Sequence, residues 1–462
     1  REREIREFVK TPFYRVMASL LLGEKSCECE WRAVENTKYY GSPLLYKETG
    51  FKEKKDAENL IGFLMEEPPV EATVESLEKK KETKNPPLLY NLAELQNDCA
   101  RLFKISPDET LRIAQELYEK KLTTYPRTDA RVLSTAVAKE IHKNIRGVAG
   151  IDSVKELATG ILASKSFQKI AKSRYVNDKQ ITDHYAIIPT GAGLGALRSL
   201  NPTAVKVYEI IVRRFLSIFC PPALYRRISL QVSVKGERFF ASFKVLEQEG
   251  YLGAMKYSFA RNGSPAGKKG EADTSAGEEE ATDKELLEAL SSLRKGMKLP
   301  VQDMQIKEGE TTPPKRYNSG TMILAMENAG QLIEDEELRS QIKGSGIGTS
   351  ATRAEILKKL INIKYLDLSK KTQIVTPTLM GEMIYEVVDN SIRPLLDPAL
   401  TASWEKGLTM VAQGTITEEE YMKKLDDFVS RRTNIVKGLN NQFVLNRQFQ
   451  KAAGNYKSDR KQ

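Results

Sequence analysis

The feature that most constrains the fold is a change of hydrophobic period close to residue 220. From Pro202 to Phe219 apolar residues recur at helical spacing. From Ile228 to Val245 apolar and polar residues alternate on both sides of a Lys-Gly-Glu turn at 235–237. Because a helix buries one stripe and a strand buries one face, the two patterns predict a helix followed directly by a β-hairpin.

Both patterns occur elsewhere in the chain. Residues 70–77 alternate as in a strand, and residues 106–121 open with a Ser-Pro-Asp-Glu capping sequence that predicts a helix. A helix of mixed charge is expected over residues 1–25, and the pattern from residue 312 to 439 is mostly helical. The sequence therefore predicts an α+β multidomain protein.

Length and composition set further limits. The 462 residues suggest about three domains, at roughly 150 residues per domain. Hydrophobic residues at 40% and charged residues at 29% exclude wholesale disorder. No apolar run approaches the ~20 residues of a membrane span, so no membrane is expected and a soluble intracellular protein is predicted.

Cysteine usage and charge narrow the possible partners. The four cysteines include no CxxC pair, which excludes a zinc ribbon, and they are too few for a disulfide scaffold. Lys and Arg total 72 against 62 Asp and Glu, and the net charge of +10 is compatible with a nucleic acid, although many basic proteins bind no polyanion. The chain starts at Arg1 rather than Met and is expected to be a piece of a longer protein.

Two segments have compositions typical of mobile chain. Residues 261–283 are rich in Gly, Ser, Ala, Lys and Glu, which predicts a mobile loop. From Lys423 to Gln462 ten basic residues stand against three acidic ones, and the last dozen of these residues are expected to be disordered.

A short segment after the capped helix combines a tyrosine with a cation. In Leu-Thr-Thr-Tyr-Pro-Arg-Thr-Asp (residues 122–129), Pro126 biases Tyr125 towards an extended conformation, which places Tyr125 and Arg127 on one face. A phenol is a weak nucleophile near its free pKa of about 10, and a nearby guanidinium favours the phenolate and binds phosphate oxygens. The segment predicts either a nucleophilic tyrosine or, as for most of the 18 tyrosines, an ordinary core or surface side chain.

A glycine-rich segment, Gly-Ile-Gly-Thr-Ser-Ala-Thr-Arg at residues 346–353, leads into a predicted helix. Free N–H groups and hydroxyls at a helix N-terminus form an anion site. A nucleotide P-loop would require Gly-Lys-Ser/Thr, which this segment lacks. A plain helix cap stays open as the alternative.

The tyrosine segment also carries a family resemblance. Residues 113–119 (Ile-Ala-Gln-Glu-Leu-Tyr-Glu) followed by residues 123–129 resemble the active-site signature of type IA DNA topoisomerases. The match is closest to the topoisomerase III branch, which commonly has Pro after the tyrosine; Ala130 departs from the family, which often has Ser there. Four further blocks resemble family motifs, in the same order along the chain: residues 183–190, 313–317, 346–357 and 400–405.

The resemblance implies roles for individual residues. Tyr125 would be the nucleophile, Arg127 would stabilise the developing phosphate charge, and His184 would hydrogen-bond the phosphate. Six residues would contact the bound DNA: Thr128, Asp129, Thr349, Ser350, Thr352 and Arg353. For Arg353 a structural ion pair with Glu355 or a more distant acid stays open as the alternative. The second histidine, His142, stands on a charged helical face and is expected to be structural.

The resemblance also implies a toroidal core in which the chain passes twice through a β-rich arch and forms helical domains of winged-helix character. The implied division is 1–20, start of the last helical domain; 21–85, first arch pass; 86–215, helical domain with the tyrosine; 216–306, second arch pass; 307–440, winged-helix-like domain; 441–462, basic tail.

The implied activity is breakage and rejoining of single-stranded DNA through a 5′-phosphotyrosyl intermediate, with strand passage for relaxation or decatenation and without ATP. Enzymes of this family carry Mg²⁺ on a TOPRIM domain ahead of the region seen here. No acidic cluster of that kind occurs in the sequence, so Mg²⁺ is expected on a missing N-terminal domain and no metal on this chain. The chain alone is expected to be inactive, monomeric and located on the nucleoid in the cytoplasm.

Two other classes were weighed against this interpretation. A non-catalytic single-stranded DNA-binding module is the alternative, because it needs none of the missing carboxylates. A tyrosine recombinase is disfavoured, since its tyrosine usually follows an Arg and a His-x-x-Arg sequence near the end of the catalytic domain. Here Tyr125 lies early and no His-x-x-Arg occurs.

Overall fold

Strands and helices occur in separate runs along the chain, which confirms the predicted α+β class. The structure is a computed structural model and describes residues 1–260, 289–334, 336–341 and 346–458. The strands are β1 Pro12–Leu22, β2 Lys25–Arg32, β3 Leu45–Lys47, β4 Gly50–Phe51, β5 Glu71–Lys84, β6 Ala223–Val234, β7 Glu237–Gln248, β8 Lys298–Glu310, β9 Leu366–Leu368 and β10 Val375–Pro377. The helices are α1 Glu2–Arg6, α2 Lys54–Leu64, α3 Leu92–Phe103, α4 Pro107–Glu119, α5 Thr135–Val148, α6 Lys155–Ser164, α7 Pro202–Ser217, α8 Ser319–Glu327, α9 Glu336–Gln341, α10 Arg353–Asn362, α11 Leu379–Asp389, α12 Pro398–Ala412, α13 Glu418–Lys437 and α14 Gln442–Ser458.

Six of the described strands close into an antiparallel barrel. Around the barrel the order is β2, β7, β6, β5, β8 and β1, and β1 pairs back with β2. Strands β4 and β3 extend the sheet beside β1. The predicted hairpin is confirmed, because β6 and β7 pair in register from Leu224↔Gln248 to Val234↔Glu237. The strand predicted at residues 70–77 is also present and continues to Lys84.

The barrel interior follows from the alternation of side chains. On β1 the buried residues are every second one, Val16, Ala18, Leu20 and Leu22. Helix α2 adds its apolar side chains to the same core and so covers it. The ring of pairings closes through short contacts, because β7 pairs with β2 only at residues 238–240 and β5 pairs with β8 only at residues 71–73.

The prediction of a helix over residues 1–25 is wrong. Only Glu2–Arg6 is helical, and Pro12–Leu22 is a barrel strand that pairs with β2 and β8. Residues 12–20, assigned above to the last helical domain, therefore belong to the sheet. The charged first ten residues suggested a helix, whereas the period-two apolar pattern that follows decides the structure of residues 12–22.

The chain between β5 and β6 forms a helical unit, α3 to α7, with a core of its own. Helix α4 begins as predicted: the Ser106 hydroxyl accepts a hydrogen bond from the Glu109 N–H at 3.2 Å. Helix α7 confirms the predicted helix at 202–219 and ends two residues early, at Ser217. The longest stretch of buried residues in this unit lies on α7, so this helix forms the centre of the unit.

A second helical unit, α8 to α14, contains a small antiparallel ladder of β9 and β10 after α10. It packs on the first unit where α8 crosses α3. Gly320 permits this contact, because a Cβ there would lie 2.6 Å from the Cα of Asn97. Ala93 of α3 shares an apolar cluster with Ile323 and Leu357 of the second unit.

The predicted disorder of the last dozen residues is wrong as far as Ser458, because α14 extends to that residue. Helix α14 packs on α11 and is held by polar contacts. The Tyr456 hydroxyl donates to the Pro377 carbonyl oxygen at 2.9 Å, and the Asn390 amide donates to Gln448 Oε1 at 2.9 Å. The loop predicted at 261–283 and residues 459–462 lie outside the described residues.

Across the described ranges, none of the helices combines the length and the apolar character that crossing a bilayer requires.

Candidate active site

The segment that carries Tyr125 is irregular rather than extended, and it is fixed by a threonine on each side. Thr124 donates its hydroxyl to the Ala186 carbonyl at 3.0 Å and accepts from the Ile188 N–H at 3.0 Å. Thr128 donates its hydroxyl to the His184 carbonyl at 2.8 Å and accepts from the Ala130 N–H at 3.1 Å. The two threonines therefore bind the segment to residues 184–188.

Two aromatic rings contact Tyr125. The ring of His184 lies 4.4 Å from that of Tyr125, centroid to centroid. The ring of Tyr118, at the end of α4, lies 5.4 Å from it at an interplanar angle of 82°. The structure thus brings Tyr125 and His184 together, with Tyr125 half-buried and His184 exposed.

Arg127 lies on the solvent side of the same segment. Burial alternates from Tyr125 to Ala130, and Arg127 is exposed while its neighbours Pro126 and Thr128 are buried. Arg127 borders a cleft of about 630 Å³ between α4 and α10. The other lining residues are Asp108, Leu111, Arg112, Gln115, Glu116, Glu119, Ala351 and Glu355. Acidic residues outnumber basic ones in this cleft, so an anion would be attracted to Arg127 rather than to the cleft as a whole.

The glycine-rich loop begins under α8 and ends at the start of α10. Gly346 has φ +64°, and a Cβ there would lie 2.3 Å from the Met326 carbonyl oxygen, so the close approach requires glycine. The Thr349 N–H donates to Thr352 Oγ1 at 2.9 Å. Thr349 and Thr352 are exposed and Ser350 is half-buried, which leaves these three predicted DNA contacts at the surface.

Arg353 does not lie at the surface, contrary to the expectation that it contacts DNA. Its side chain is 1% exposed, and Nη1 lies 2.8 Å from Asp129 Oδ1. Its Nη2 donates to the Gly348 carbonyl at 3.1 Å. Because this guanidinium is desolvated and bonded inside the protein, the structure favours the role of an ion-pair partner over the predicted contact with a DNA phosphate.

Thr128 and Asp129 make bonds inside the protein and differ in exposure. Thr128 is 5% exposed and its hydroxyl makes the two internal bonds described above. Asp129 is paired with Arg353, its carbonyl oxygen accepts from the Asn91 amide at 3.2 Å, and its side chain is 33% exposed. Both residues hold the segment in place, and their predicted contacts with DNA stay predictions.

Sequence reasoning missed several residues that shape this site. Thr124 and Tyr118 lie inside the motifs that resemble the family signature. That position was the one sequence signal that pointed to them. Asn91 caps α3 and also donates to Glu327 Oε1 at 2.7 Å. Glu327 had no sequence signal, since only the fold brings it there. Burial raises the pKa of the Glu327 carboxyl, an effect that Arg353 opposes.

No three or more His, Cys, Asp or Glu side chains cluster in a way that could hold a metal ion within the described ranges. The donor set that Mg²⁺ prefers, several carboxylate oxygens, is thus not assembled by these residues. We assign no residue to Mg²⁺ and derive no step through it. The second histidine, His142, packs beside Phe167, with ring centroids 6.1 Å apart.

Comparison with known proteins places this site in a family. The family profile described as DNA topoisomerase matches residues 1–423. DNA topoisomerase 3 of Bacillus licheniformis is 33% identical over 392 residues, covering 83% of this chain and 49% of the relative. DNA topoisomerase 3 of Bacillus subtilis is 32% identical over 377 residues, covering 81% and 48%.

The chain spans about half the length of these curated relatives. The structure of full-length topoisomerase I from Thermotoga maritima superimposes with a TM-score of 0.61 at 21% identity, covering 93% of this chain and 60% of that one, and so shares the fold. The matched length, the relatives and the fold agree with the sequence motifs. The chain belongs to the type IA DNA topoisomerases and is topoisomerase III-like.

Proposed function

We propose that the complete protein breaks and rejoins single-stranded DNA with Tyr125 as the nucleophile. The observation that carries the proposal is the contact of Tyr125 with His184 and Tyr118, on a segment fixed at both ends, with Arg127 exposed beside it. A positioned phenol next to a cation and an imidazole is suited to attack on a phosphodiester.

In the forward step the phenol oxygen attacks phosphorus and loses its proton. The bond between phosphorus and the 3′ oxygen breaks, and that oxygen is protonated as a free 3′-hydroxyl. The 5′-phosphate stays joined to Tyr125, while Arg127 balances the charge on the phosphate oxygens and His184 donates a hydrogen bond to one of them. Rejoining is the same exchange in reverse, so no ATP is needed.

The surface hydroxyls of Thr349, Ser350 and Thr352 hold the backbone of the strand. Mg²⁺, expected on a TOPRIM domain of the complete protein, supplies positive charge near the scissile phosphate when bound. Without that domain we expect this chain not to relax supercoiled plasmid. The complete protein works as a monomer on chromosomal DNA, and therefore on the nucleoid in the cytoplasm, by relaxation or decatenation.

A non-catalytic single-stranded DNA-binding module is the second candidate. It is favoured by one observation, that the exposed Thr349 and Thr352 start a helix whose N-terminus can bind phosphate without any metal. The two candidates differ in covalent chemistry, which the following experiment measures.

The test is Tyr125→Phe in the complete protein, with Tyr118→Phe as the matched control because the two rings touch. Labelled single-stranded DNA is incubated with Mg²⁺ and run on a denaturing gel. We expect wild type and Tyr118→Phe to form a protein–DNA adduct and Tyr125→Phe to form none, with nearly unchanged DNA binding. An adduct that persists in Tyr125→Phe would show that another residue is the nucleophile, and no adduct in wild type would favour the binding module.

A further inference from the structure

Arg353 lies between the glycine-rich loop and the tyrosine segment and is bonded to both. On the loop side its Nε donates to the Ile347 carbonyl at 3.3 Å and its Nη2 donates to the Gly348 carbonyl at 3.1 Å. On the other side Nη1 binds Asp129 Oδ1 at 2.8 Å. Asp129 is four residues from Tyr125, and the tight turn between them is closed by a bond from the Thr128 N–H to the Pro126 carbonyl at 3.0 Å, so a displacement of one is transmitted to the other.

Further polar groups complete a buried set around this pair. Asn91 donates to the Asp129 carbonyl and to Glu327 Oε1, and Glu327 lies 4.0 Å from Arg353 Nη1. The main-chain N–H of Leu92 donates to the Thr128 carbonyl at 3.1 Å. The set therefore ties the tyrosine segment to the start of α3 in the first helical unit and to α8 and α10 in the second.

A comparison within the same interface shows what is particular to this pair. Lys358 of α10 forms an ion pair with Asp108 of α4 at 3.2 Å, but both side chains are more than two-fifths exposed. Exposed pairs of that kind contribute little, because water and salt screen them. The guanidinium of Arg353 is shielded from water, so losing its carboxylate leaves a buried charge uncompensated.

We propose that Arg353 is a positioning residue for Tyr125: through Asp129 it holds the loop of residues 346–352 and the tyrosine segment in one fixed relation. The proposal rests on the proposed function and deepens it. The strand is bound by hydroxyls on one side of the Arg353–Asp129 pair and attacked from the other. The pair thus decides whether the bound phosphate meets the phenol.

The first test uses the complete protein and single-turnover cleavage of a labelled oligonucleotide. The variants are Asp129→Asn, which keeps the side-chain shape, Arg353→Lys, and the double variant; Lys358→Ala is the matched control. A misplacement of about 1 Å costs on the order of a hundredfold in rate. We therefore expect each single variant to lose roughly tenfold to a hundredfold in cleavage, and the double variant to be no worse than the single ones.

Binding separates this role from direct DNA contact. The salt dependence of oligonucleotide affinity should equal that of wild type in every variant, because Arg353 touches no phosphate. A salt slope smaller by about 0.7 in Arg353→Ala, which removes the positive charge, would make Arg353 a phosphate contact and overturn the proposal. Additive losses in the double variant, or unchanged cleavage in Asp129→Asn, would overturn it as well.

A second readout does not depend on catalysis. Hydrogen exchange in this chain should accelerate at residues 124–131 and 346–353 together in Asp129→Asn and stay unchanged in Lys358→Ala. Unchanged exchange in Asp129→Asn contradicts the proposal even where cleavage cannot be measured. Absence of any wild-type adduct, with the coupled exchange intact, would instead count against the proposed function alone.

Discussion

At the scale of single residues, the site depends on hydroxyl groups that never meet the substrate. Thr128 uses its one hydroxyl as donor to His184 and as acceptor from Ala130, and it is 5% exposed. A buried polar group bonded in both directions stabilises its neighbours and is costly to remove. The position of the His184 ring over Tyr125 is a consequence of these bonds.

Thr128→Val should lower the free energy of unfolding by about 1–3 kcal/mol, since the His184 carbonyl and the Ala130 N–H both lose their partner. The salt dependence of single-stranded DNA binding should not change. Thr349→Val at the exposed loop is the control and should leave stability within about 0.5 kcal/mol of wild type. Urea unfolding followed by circular dichroism measures the free energy of unfolding. Fluorescence anisotropy over a salt series measures the salt dependence of DNA binding. If Thr128→Val had a smaller salt slope and unchanged stability, Thr128 would be a residue that contacts DNA.

What sequence could predict at this scale has a clear limit. The types and the order of Tyr125, Arg127 and His184 were readable because their motifs are local. The burial of Arg353 was not, because its partner Asp129 is 224 positions away in the chain. From sequence alone, an arginine next to threonines of a glycine-rich loop suggests a phosphate contact. Only the folded structure shows that an acidic side chain lies against it.

At the scale of secondary structure, the contact of α3 with α7 contains a buried charge cluster. Asp98 of α3 lies 2.9 Å from Arg214 of α7 and accepts from the Tyr90 hydroxyl at 2.5 Å. Burial alone would raise the pKa of Asp98, but Arg214, Arg101 and the Tyr90 hydroxyl together lower it below its ordinary value. The stability that Asp98 contributes is therefore fully present above its unfolded-state pKa of about 3.9, and it is lost as the pH falls from there through the lower pKa of the folded state.

Asp98→Asn should lower the free energy of unfolding at pH 7 by about 3–5 kcal/mol, because Arg214 stays buried without its counter-charge. Its stability should also depend less on pH between about 5 and 2 than that of wild type. Thermal unfolding over a pH series, followed by circular dichroism, measures both. Equal acid sensitivity in the two proteins would show that Asp98 is not the group that titrates.

Helices and strands were predicted correctly where the hydrophobic pattern kept one period along the whole element. The hairpin of β6 and β7 alternates over residues 228–234 and 239–245, and α4 has its cap in the sequence. The first strand was missed because ten charged and mixed residues precede it, and α14 was missed because its polar composition resembles a tail. Helix α14 is stabilised by its packing on α11, and amino-acid composition does not reveal such tertiary contacts.

At the scale of the whole molecule, a closed barrel carries two helical units, and the tyrosine segment lies where those units meet. The net charge of +10 attracts a polyanion, but it does not determine where on the surface the polyanion binds. Arg127, Thr349 and Thr352 are exposed near the boundary of the two units, where the proposed function expects contact with DNA. Neither the barrel closure nor this meeting point could be read from local patterns, because both depend on pairings distant in sequence.

This chain should bind single-stranded DNA with an affinity that falls steeply with salt, by about 0.7 log units per phosphate contact for each tenfold rise in salt. Single strands should bind more tightly than duplex. Thr349→Ala combined with Thr352→Ala should weaken binding to different sequences alike, because phosphate contacts carry no base information. Anisotropy of labelled oligonucleotides over a salt series measures this. Preference for duplex, or affinity that is insensitive to salt, would contradict it.

The central claim is that the phenol of Tyr125 becomes joined to DNA, and mapping the covalent adduct tests it most directly. The complete protein is incubated with a single-stranded oligonucleotide and Mg²⁺, denatured and digested, and the DNA-linked peptide is identified by mass spectrometry. The account predicts that the peptide contains residues 122–129 with the 5′-phosphate on Tyr125. A linkage on Tyr118 or on any other residue would contradict the account.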